Sequence, residues 1–395
     1  MMRGWYLIIF CFVLPITTLA QGGTISGKIL SAGSKTAVPK ASVFLSNATF
    51  GTATADDGSF TLRGVKPGQY DLVVTTLGFE EYSQKVLVGN QAINLTIELT
   101  PKVMMMKSVT IISNADWKKN YEQFKKDFIG TNDNAKHCKV INPRVLDLIY
   151  HRKTQTLEAS ADEFLVVEND ALGYRTKFLL SSFSSDNLTH TVAYSGRVLF
   201  ENLPGSEAQK KKWKQKREET YYGSAQHFYR ALYKNKLAEE GFVIYNFTRV
   251  LNNQRAPEDL IQRKMKQFRE TNRDSAIYWS RQSDVPKWAQ ETLIKPPLEE
   301  NKILRSTRQD GIFVITFPYY LYVTYVKKRE ETYFKDIYRP LDMENYETSV
   351  ITLLQQPYTV FDMNGSVIGN APLYEGTWSK AKLANLLPVD YEPGD

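Results

Sequence analysis

Cysteine is nearly absent from this chain: among 395 residues only Cys11 and Cys138 carry a thiol. Cys11 lies in an N-terminal stretch that reads as a removable leader, so one thiol remains and an internal disulfide is excluded. A cysteine-held zinc cluster fails on the same count. Burial of apolar side chains must therefore hold the fold. Histidine is scarce as well, with His137, His151, His190 and His227 the full set. None opens a His-x-x-Glu pair and none belongs to His-Glu-x-x-His, so no zinc-peptidase motif is present. No serine sits in Gly-x-Ser-x-Gly, which removes the nucleophile elbow. The stretch "GGTISGKI" approaches a phosphate loop but has Ile29 where magnesium needs a hydroxyl residue. Ser379 and Lys382 satisfy Ser-x-x-Lys, yet Ser379 reads as the cap of a last helix and no partner motif follows. Past the leader, no apolar run is long enough to cross a membrane as a helix. A transmembrane β-barrel has a much weaker signature per strand.

The leader itself is well marked. Arg3, the apolar "WYLIIFCFVL" and the small-residue site "TLA" predict a signal peptide over 1–20, cleaved between Ala20 and Gln21. Cys11 follows Phe10 and not a small residue, which argues against lipidation. The expected address is outside the cytoplasm, in a periplasm or associated with an outer membrane. The formal charge of +7 falls to +6 when Arg3 leaves, too mild to point to nucleic acid. Hydrophobic residues at 42% and charged residues at 24% are ordinary globular usage, and the length suits two or three domains.

What is present, from residue 24 to 100, is a series of short strands with turn signals between them. "TISGKIL", "SVFLS", "TFGTATA", "SFTLRGV", "YDLVVTTLG", "YSQKVLV" and "INLTIEL" are rich in β-branched and aromatic residues. About seven such strands with little helix predict a β-sandwich. Within "GTATADDGSFTL", Asp57-Gly58 predicts a two-residue type I′ turn, with Asp56 bonding the turn backbone. A calcium loop is disfavoured there, because Asp56 and Asp57 lack the alternating oxygens and the terminal bidentate Glu that such a loop uses.

These residues carry a resemblance. "TISGKIL", "AVPKASVFL", the Asp56-Asp57-Gly58 turn, Pro67-Gly68-x-Tyr70 and Leu77-Gly78-Phe79 resemble the carboxypeptidase-like regulatory domain. That domain is a transthyretin-like β-sandwich common at the N-termini of Gram-negative envelope proteins. The resemblance covers about a fifth of the chain. It implies a non-catalytic module and does not name an activity.

Beyond a linker at 103–113, which contains Met104, Met105 and Met106, residues 114–395 predict an α+β domain with mainly antiparallel sheet. "NADWKKNYEQFKKDFIG" reads as a helix capped by Asn114 and stopped at Gly130, with Trp117, Tyr121, Phe124 and Phe128 on one face. Long hairpin strands follow from Lys139 to Leu203. Ser206 and Gln209 form a capping box for the next helix, which Gly223 divides. Along it runs one cationic cluster: Lys210, Lys211, Lys212, Trp213, Lys214, Lys216 and Arg217. It reads as a solvated helix face; the alternative is a contact with anionic phosphate or lipid, anchored by Trp213.

The functional expectation is an exported, non-catalytic envelope protein: a sandwich adaptor joined to an α+β domain that binds an envelope protein or a glycan. No cofactor, metal or nucleic acid is expected, and peripheral contact with an outer membrane is. Two alternatives stand beside it. One is an accessory to a TonB-dependent uptake system. The other is a hydrolase whose fold brings together carboxylates such as Asp162-Glu163 or Glu299-Glu300.

Overall fold

The computed structural model describes residues 22–89, 91–102, 113–330 and 337–395. The expected cleavage site at Ala20 and Gln21 and the Met104–Met106 stretch lie outside these residues. The first seven strands are β1 (Gly23–Ser31), β2 (Ser42–Leu45), β3 (Gly51–Ala53), β4 (Ser59–Val65), β5 (Gly68–Thr75), β6 (Tyr82–Val88) and β7 (Ile93–Leu99). They form two sheets, β4-β1-β7 and β3-β2-β5-β6. β1 and β7 run parallel, whereas β1–β4 and the pairs of the second sheet are antiparallel. Phe60 and Leu62 of β4 turn inward while Thr61 and Arg63 face water, the two-residue alternation of a half-buried strand. Between the sheets, Ile25, Ile29, Val43, Leu72, Val74 and Ile97 are buried.

The turn at 56–58 departs from the type I′ expectation. Only Gly58 takes positive φ, at 77°. The Gly58 N–H donates to the Ala55 carbonyl and the Ala55 N–H to the Ser59 carbonyl, both at 2.9 Å. This is a three-residue turn ending in a left-handed glycine. A type I′ turn would force Asp57 into the left-handed region at a cost of roughly 1–2 kcal/mol, which Gly58 alone avoids. Asp57, not Asp56, braces the turn, accepting from Ser59 N at 3.0 Å and Ser59 Oγ at 2.6 Å. These bonds hold its carboxyl below the usual aspartate value. The turn passes the chain from β3 in one sheet to β4 in the other.

A second layer follows. It comprises α1 (Asn114–Phe128), α2 (Asp133–Lys136), β8 (Cys138–Val140), β9 (Asp147–His151), β10 (Thr156–Ser160), β11 (Leu165–Asn169), β12 (Tyr174–Asp186) and β13 (Thr191–Asn202). The six strands make one antiparallel sheet. β11 and β10 pair with opposite halves of the long β12, and β13 also pairs with β12. α1 lies on one face, with Phe128 against Phe178 at 5.1 Å and Phe124 against Phe183 at 4.8 Å between ring centres. Its cap is Ser113 and not Asn114: the Ser113 side chain accepts the Asp116 N–H at 3.1 Å.

The remainder opens with α3 (Glu207–Tyr221), α4 (Ala225–Tyr233), α5 (Leu237–Glu240) and β14 (Phe242–Leu251). A helical pair, α6 (Glu258–Phe268) and α7 (Arg273–Asp284), then leads to β15 (Trp288–Ile294). After α8 (Glu300–Ile303) come β16 (Leu304–Ser306), β17 (Ile312–Ile315), β18 (Tyr320–Arg329), β19 (Tyr346–Thr352), β20 (Thr359–Asp362), β21 (Val367–Ile368) and β22 (Leu373–Gly376). They build the sheets β15-β14-β18-β19-β22 and β16-β17-β20-β21. Phe228 and Leu232 of α4 pack into the core formed with these sheets. The turn at 362–365 repeats the first one, with Gly365 at φ 76° and its N–H donating to the Asp362 carbonyl at 3.0 Å.

The expected last helix over "WSKAKLANLL" is reduced to one turn, α9 (Thr377–Lys380), and a 3-10 turn at Leu383–Asn385. Leu383, Ala384 and Leu387 join the core beneath the six-stranded sheet, and this anchoring draws the chain out of helix. Ser379 is therefore not a cap; it lies inside α9 and donates to the Gly376 carbonyl at 2.7 Å. The architecture is an all-β sandwich followed by a larger α+β region with mainly antiparallel sheet. No helix among the described residues is long and apolar enough to cross a membrane.

The sandwich is built into the rest of the molecule. Phe44 and Val73, on the outer face of its β2-β5 pair, pack against Leu199 of β13 and Phe164. Asn47 N donates to the Val198 carbonyl at 2.7 Å, and Arg197 pairs with Asp71 at 3.1 Å. The C-terminal strap closes the joint from a third side. Val389 N donates to the Asn47 carbonyl at 2.7 Å, and Asp390 accepts from both Thr49 N and Thr49 Oγ1. Apolar packing combined with main-chain bonding fixes the relative orientation of the two parts.

Candidate functional site

The face of the six-stranded sheet away from α1 is unusual in composition. Strands favour β-branched and aromatic side chains, yet here Ser160, Ser181, Ser182, Ser184 and Ser195 stand together. Register explains the grouping. Ser182 lies opposite Ser195, Ser184 opposite both Ala193 and Glu158, and Ser160 opposite Asp147. Their neighbours Leu157 and Phe183 point the other way, into the core. Small hydroxyls leave room above the sheet. The result is an open cleft of about 750 Å³.

The opposite wall comes from the C-terminal sheets. The 353–358 connection after β19 contributes Leu354, Gln355, Gln356 and Tyr358, and the 369–372 connection contributes Asn370. Tyr358 is 42% exposed and lines the cleft. Ile149 adds an apolar spot on the sheet side. Tyr194 borders the cleft but rests its ring on Phe128, at 5.2 Å between centres. Among the described residues, the charged side chains lining the cleft are Asp147 and Glu158. Glu158 is held by His151 Nε2 at 3.0 Å. Ser182 and Ser195 share a hydrogen bond at 2.7 Å. The surface is a row of neutral donors and acceptors flanked by a ring, suited to a ligand rich in hydroxyl groups.

The residues singled out from sequence fall elsewhere. Trp213 is 8% exposed, wedged over Gly173 and Gly205, with its Nε1 donating to the Asp170 carbonyl at 2.7 Å. Its ring therefore belongs to the fold and is not presented as a membrane anchor. Arg217 stacks on Tyr174 at 3.8 Å and donates to the Leu172 carbonyl at 2.7 Å. Lys210 pairs with Glu207, Lys216 with Glu219, and Lys214 reaches the Gly394 carbonyl. Lys211 and Lys212 are exposed on α3. Asp56, Asp57 and Gly58 form the turn described above. Among the described residues no group of three His, Cys, Asp or Glu is placed to hold a metal ion.

The acid pairs stay apart from the groove. Asp162 and Glu163 are exposed beyond β10, and Glu300 Oε1 accepts the Leu237 N–H at 3.1 Å near α5. The histidines are dispersed too. His227 is buried among Tyr221, Tyr222, Phe242 and Tyr325. Its Nδ1 accepts the Gly223 N–H at 3.1 Å, and Nε2 lies 3.1 Å from Glu240. Burial lowers its pKa, although Glu240 opposes the shift.

Residues 25–111 match the family model of the CarboxypepD_reg-like domain. The sandwich is CarboxypepD_reg-like. That match ends before α1, so it does not reach the serine-lined face or the wall opposite. No curated protein matches the chain. Among solved structures, the group B streptococcus pilus 2b backbone protein shares 26% identity over 20% of this chain and 41% of its own, at a TM-score of 0.18. A putative carbohydrate binding protein from Bacteroides uniformis shares 10% identity over 46% of this chain and 99% of its own, at 0.17. A putative membrane-associated protein of unknown function from Bacteroides fragilis shares 9% over 89% of this chain and 98% of its own, also at 0.17. The chain spans about half the length of the first solved structures it matches. Scores this low carry no argument about activity.

The groove was missed by motif reading because neutral serines form no motif. A signal was nonetheless present in "FLLSSFSSD", where four serines interrupt what is otherwise a strand of Phe and Leu.

Proposed function

We propose that this chain is an exported, non-catalytic binding protein of a cell envelope. It resides in a periplasm or at an outer membrane, and its groove holds a glycan. The observation that carries this reading is the row of five serines on one sheet face, set across an open cleft from Gln355, Gln356, Asn370 and the exposed Tyr358. Hydroxyls and amides exchange hydrogen bonds with sugar hydroxyls in either direction, and an exposed ring offers the apolar contact a pyranose face needs. The CarboxypepD_reg-like sandwich, clasped to the rest on three sides, serves as a rigid adaptor to an envelope protein.

The test is a binding screen of the purified chain against immobilised bacterial polysaccharides, run in parallel with Tyr358→Ala. Binding that the substitution weakens, with no release of reducing ends, supports the reading. Release of reducing ends would instead favour the carboxylate-pair hydrolase.

A further inference from the structure

The connection between β14 and β15 is a helical arm over 255–287, whose helices α6 and α7 pack mainly on each other. Its base is tied to the sheet: Arg255 Nε donates to the Val285 carbonyl at 2.7 Å and Asn252 N to the Lys287 carbonyl at 3.0 Å. Within the two helices only Ile261 is buried. On α7 the half-buried positions are Ser275, Ala276, Trp279, Gln282 and Ser283, one stripe at helical spacing. Ile277 and Tyr278 fall on the opposite face, 42% and 56% exposed. Arg273 and Arg281 lie one turn to either side of Ile277 and so neighbour it on that face.

The arm is cationic after its own pairing is counted. Between 255 and 287, eight Lys and Arg residues stand against five acids, a net +3. Arg255 pairs with Glu258 and Arg263 with Asp259. Lys264, Lys266, Arg269, Arg273, Arg281 and Lys287 remain, against Glu270, Asp274 and Asp284. Asp274 sits in the first turn of α7, where the helix dipole itself favours an acid. Bare apolar side chains flanked by arginines on a basic helix suit an element lying in a membrane interface. Tyrosine fits that depth, with its ring among acyl chains and its hydroxyl among headgroups.

We infer that the α6–α7 arm docks the protein on an anionic lipid bilayer. Ile277 and Tyr278 insert, and Arg273 and Arg281 meet lipid phosphates. Lys266 and Arg269, near the turn between the helices, add long-range attraction. The contact lies on the arm and not on α3, whose Trp213 is buried. It holds whatever the groove binds.

The experiment is sedimentation of the purified chain with vesicles of phosphatidylcholine, alone or mixed with phosphatidylglycerol. Binding to the mixed vesicles and not to phosphatidylcholine alone is expected, and high salt should weaken it. Arg273→Ala and Arg281→Ala should each weaken it about fivefold, the worth of one basic residue near an anionic surface. Ile277→Ser with Tyr278→Ser should weaken it about tenfold or more, through lost apolar burial. Lys211→Ala with Lys212→Ala on α3 should leave it unchanged. Unchanged thermal midpoints would show that the variants fold; should the serine pair lower the midpoint, the two arginine variants alone decide. Equal binding to both vesicle types, or binding to neither, would overturn the proposal. Anionic binding that the folded serine pair leaves at full strength would overturn it too. So would a dimer in solution that the serine pair converts to monomer, since a second copy would then occupy the face.

Discussion

Arg230 Nη1 donates to the main-chain carbonyl of Tyr391 at 2.7 Å, joining α4 to the C-terminal strap inside the protein. The same guanidinium donates to Val389 O at 2.7 Å and Asn364 O at 2.9 Å. One side chain thus satisfies three carbonyls where strap, β20–β21 turn and helix meet. Because the strap also bonds to Asn47 and Thr49 of the sandwich, Arg230 supports the joint between the two parts of the molecule.

Replacing Arg230 by Met keeps much of the apolar stem and removes all three donors. Each buried carbonyl left without a partner costs about 1–3 kcal/mol. A loss of at least ~3 kcal/mol is expected in urea unfolding. Deleting residues 389–395 should produce a similar loss, and the two changes combined should fall well short of additive, since they break one network.

Asp362 sits beside this joint, with Oδ1 accepting from Asn364 N at 2.9 Å and Ser366 N at 3.0 Å. Burial raises its carboxyl to about 6, although the two N–H bonds and the Arg230 charge oppose the shift. The folded state therefore holds this proton to a higher pH than the unfolded chain does. The contribution to stability is complete below about pH 4 and is lost as pH rises through 6. Asp362→Asn retains the acceptor oxygen and cannot ionise. It should be more stable than the unaltered protein at pH 7, by up to about 3 kcal/mol. The difference should shrink toward pH 4 in thermal unfolding across that range.

The cationic helix separates into two kinds of residue. Trp213→Ala should cost about 3–5 kcal/mol, the usual loss for truncating a buried tryptophan. Lys211→Ala and Lys212→Ala should each stay within about 0.5 kcal/mol. Binding to vesicles of anionic lipid, measured by sedimentation, should change little when both lysines are replaced if α3 is a solvated face.

Gly58→Ala should destabilise the sandwich. Its φ of 77° disfavours any side chain, and a Cβ there would lie 2.5 Å from the Ile29 carbonyl oxygen. A loss of about 1–2 kcal/mol from backbone strain alone is expected, with the contact adding to it. Calcium should leave the melting temperature of the unaltered protein unchanged.

The sandwich was legible in the sequence because two-residue alternation and turn residues act locally. Phe60 and Leu62 are buried as their spacing implies, and Ser206 with Gln209 caps α3 as read. The turn geometry was less legible. "DG" is compatible with two loop types, and Ile29, which Gly58 meets, is remote in sequence. The tail failed for a similar reason: Leu383 and Leu387 answer to a distant sheet and not to their neighbours. The groove was least legible of all, since its walls lie more than a hundred residues apart and become one surface only when β19 and β12 are folded beside each other.

Hydrogen–deuterium exchange of the purified chain, with and without a saturating oligosaccharide found in the binding screen, tests the central claim most directly. Protection should concentrate at 181–184, 355–358 and 369–371, the two walls of the cleft. Protection confined to the sandwich or to α3, with those three segments unchanged at saturation, would contradict it.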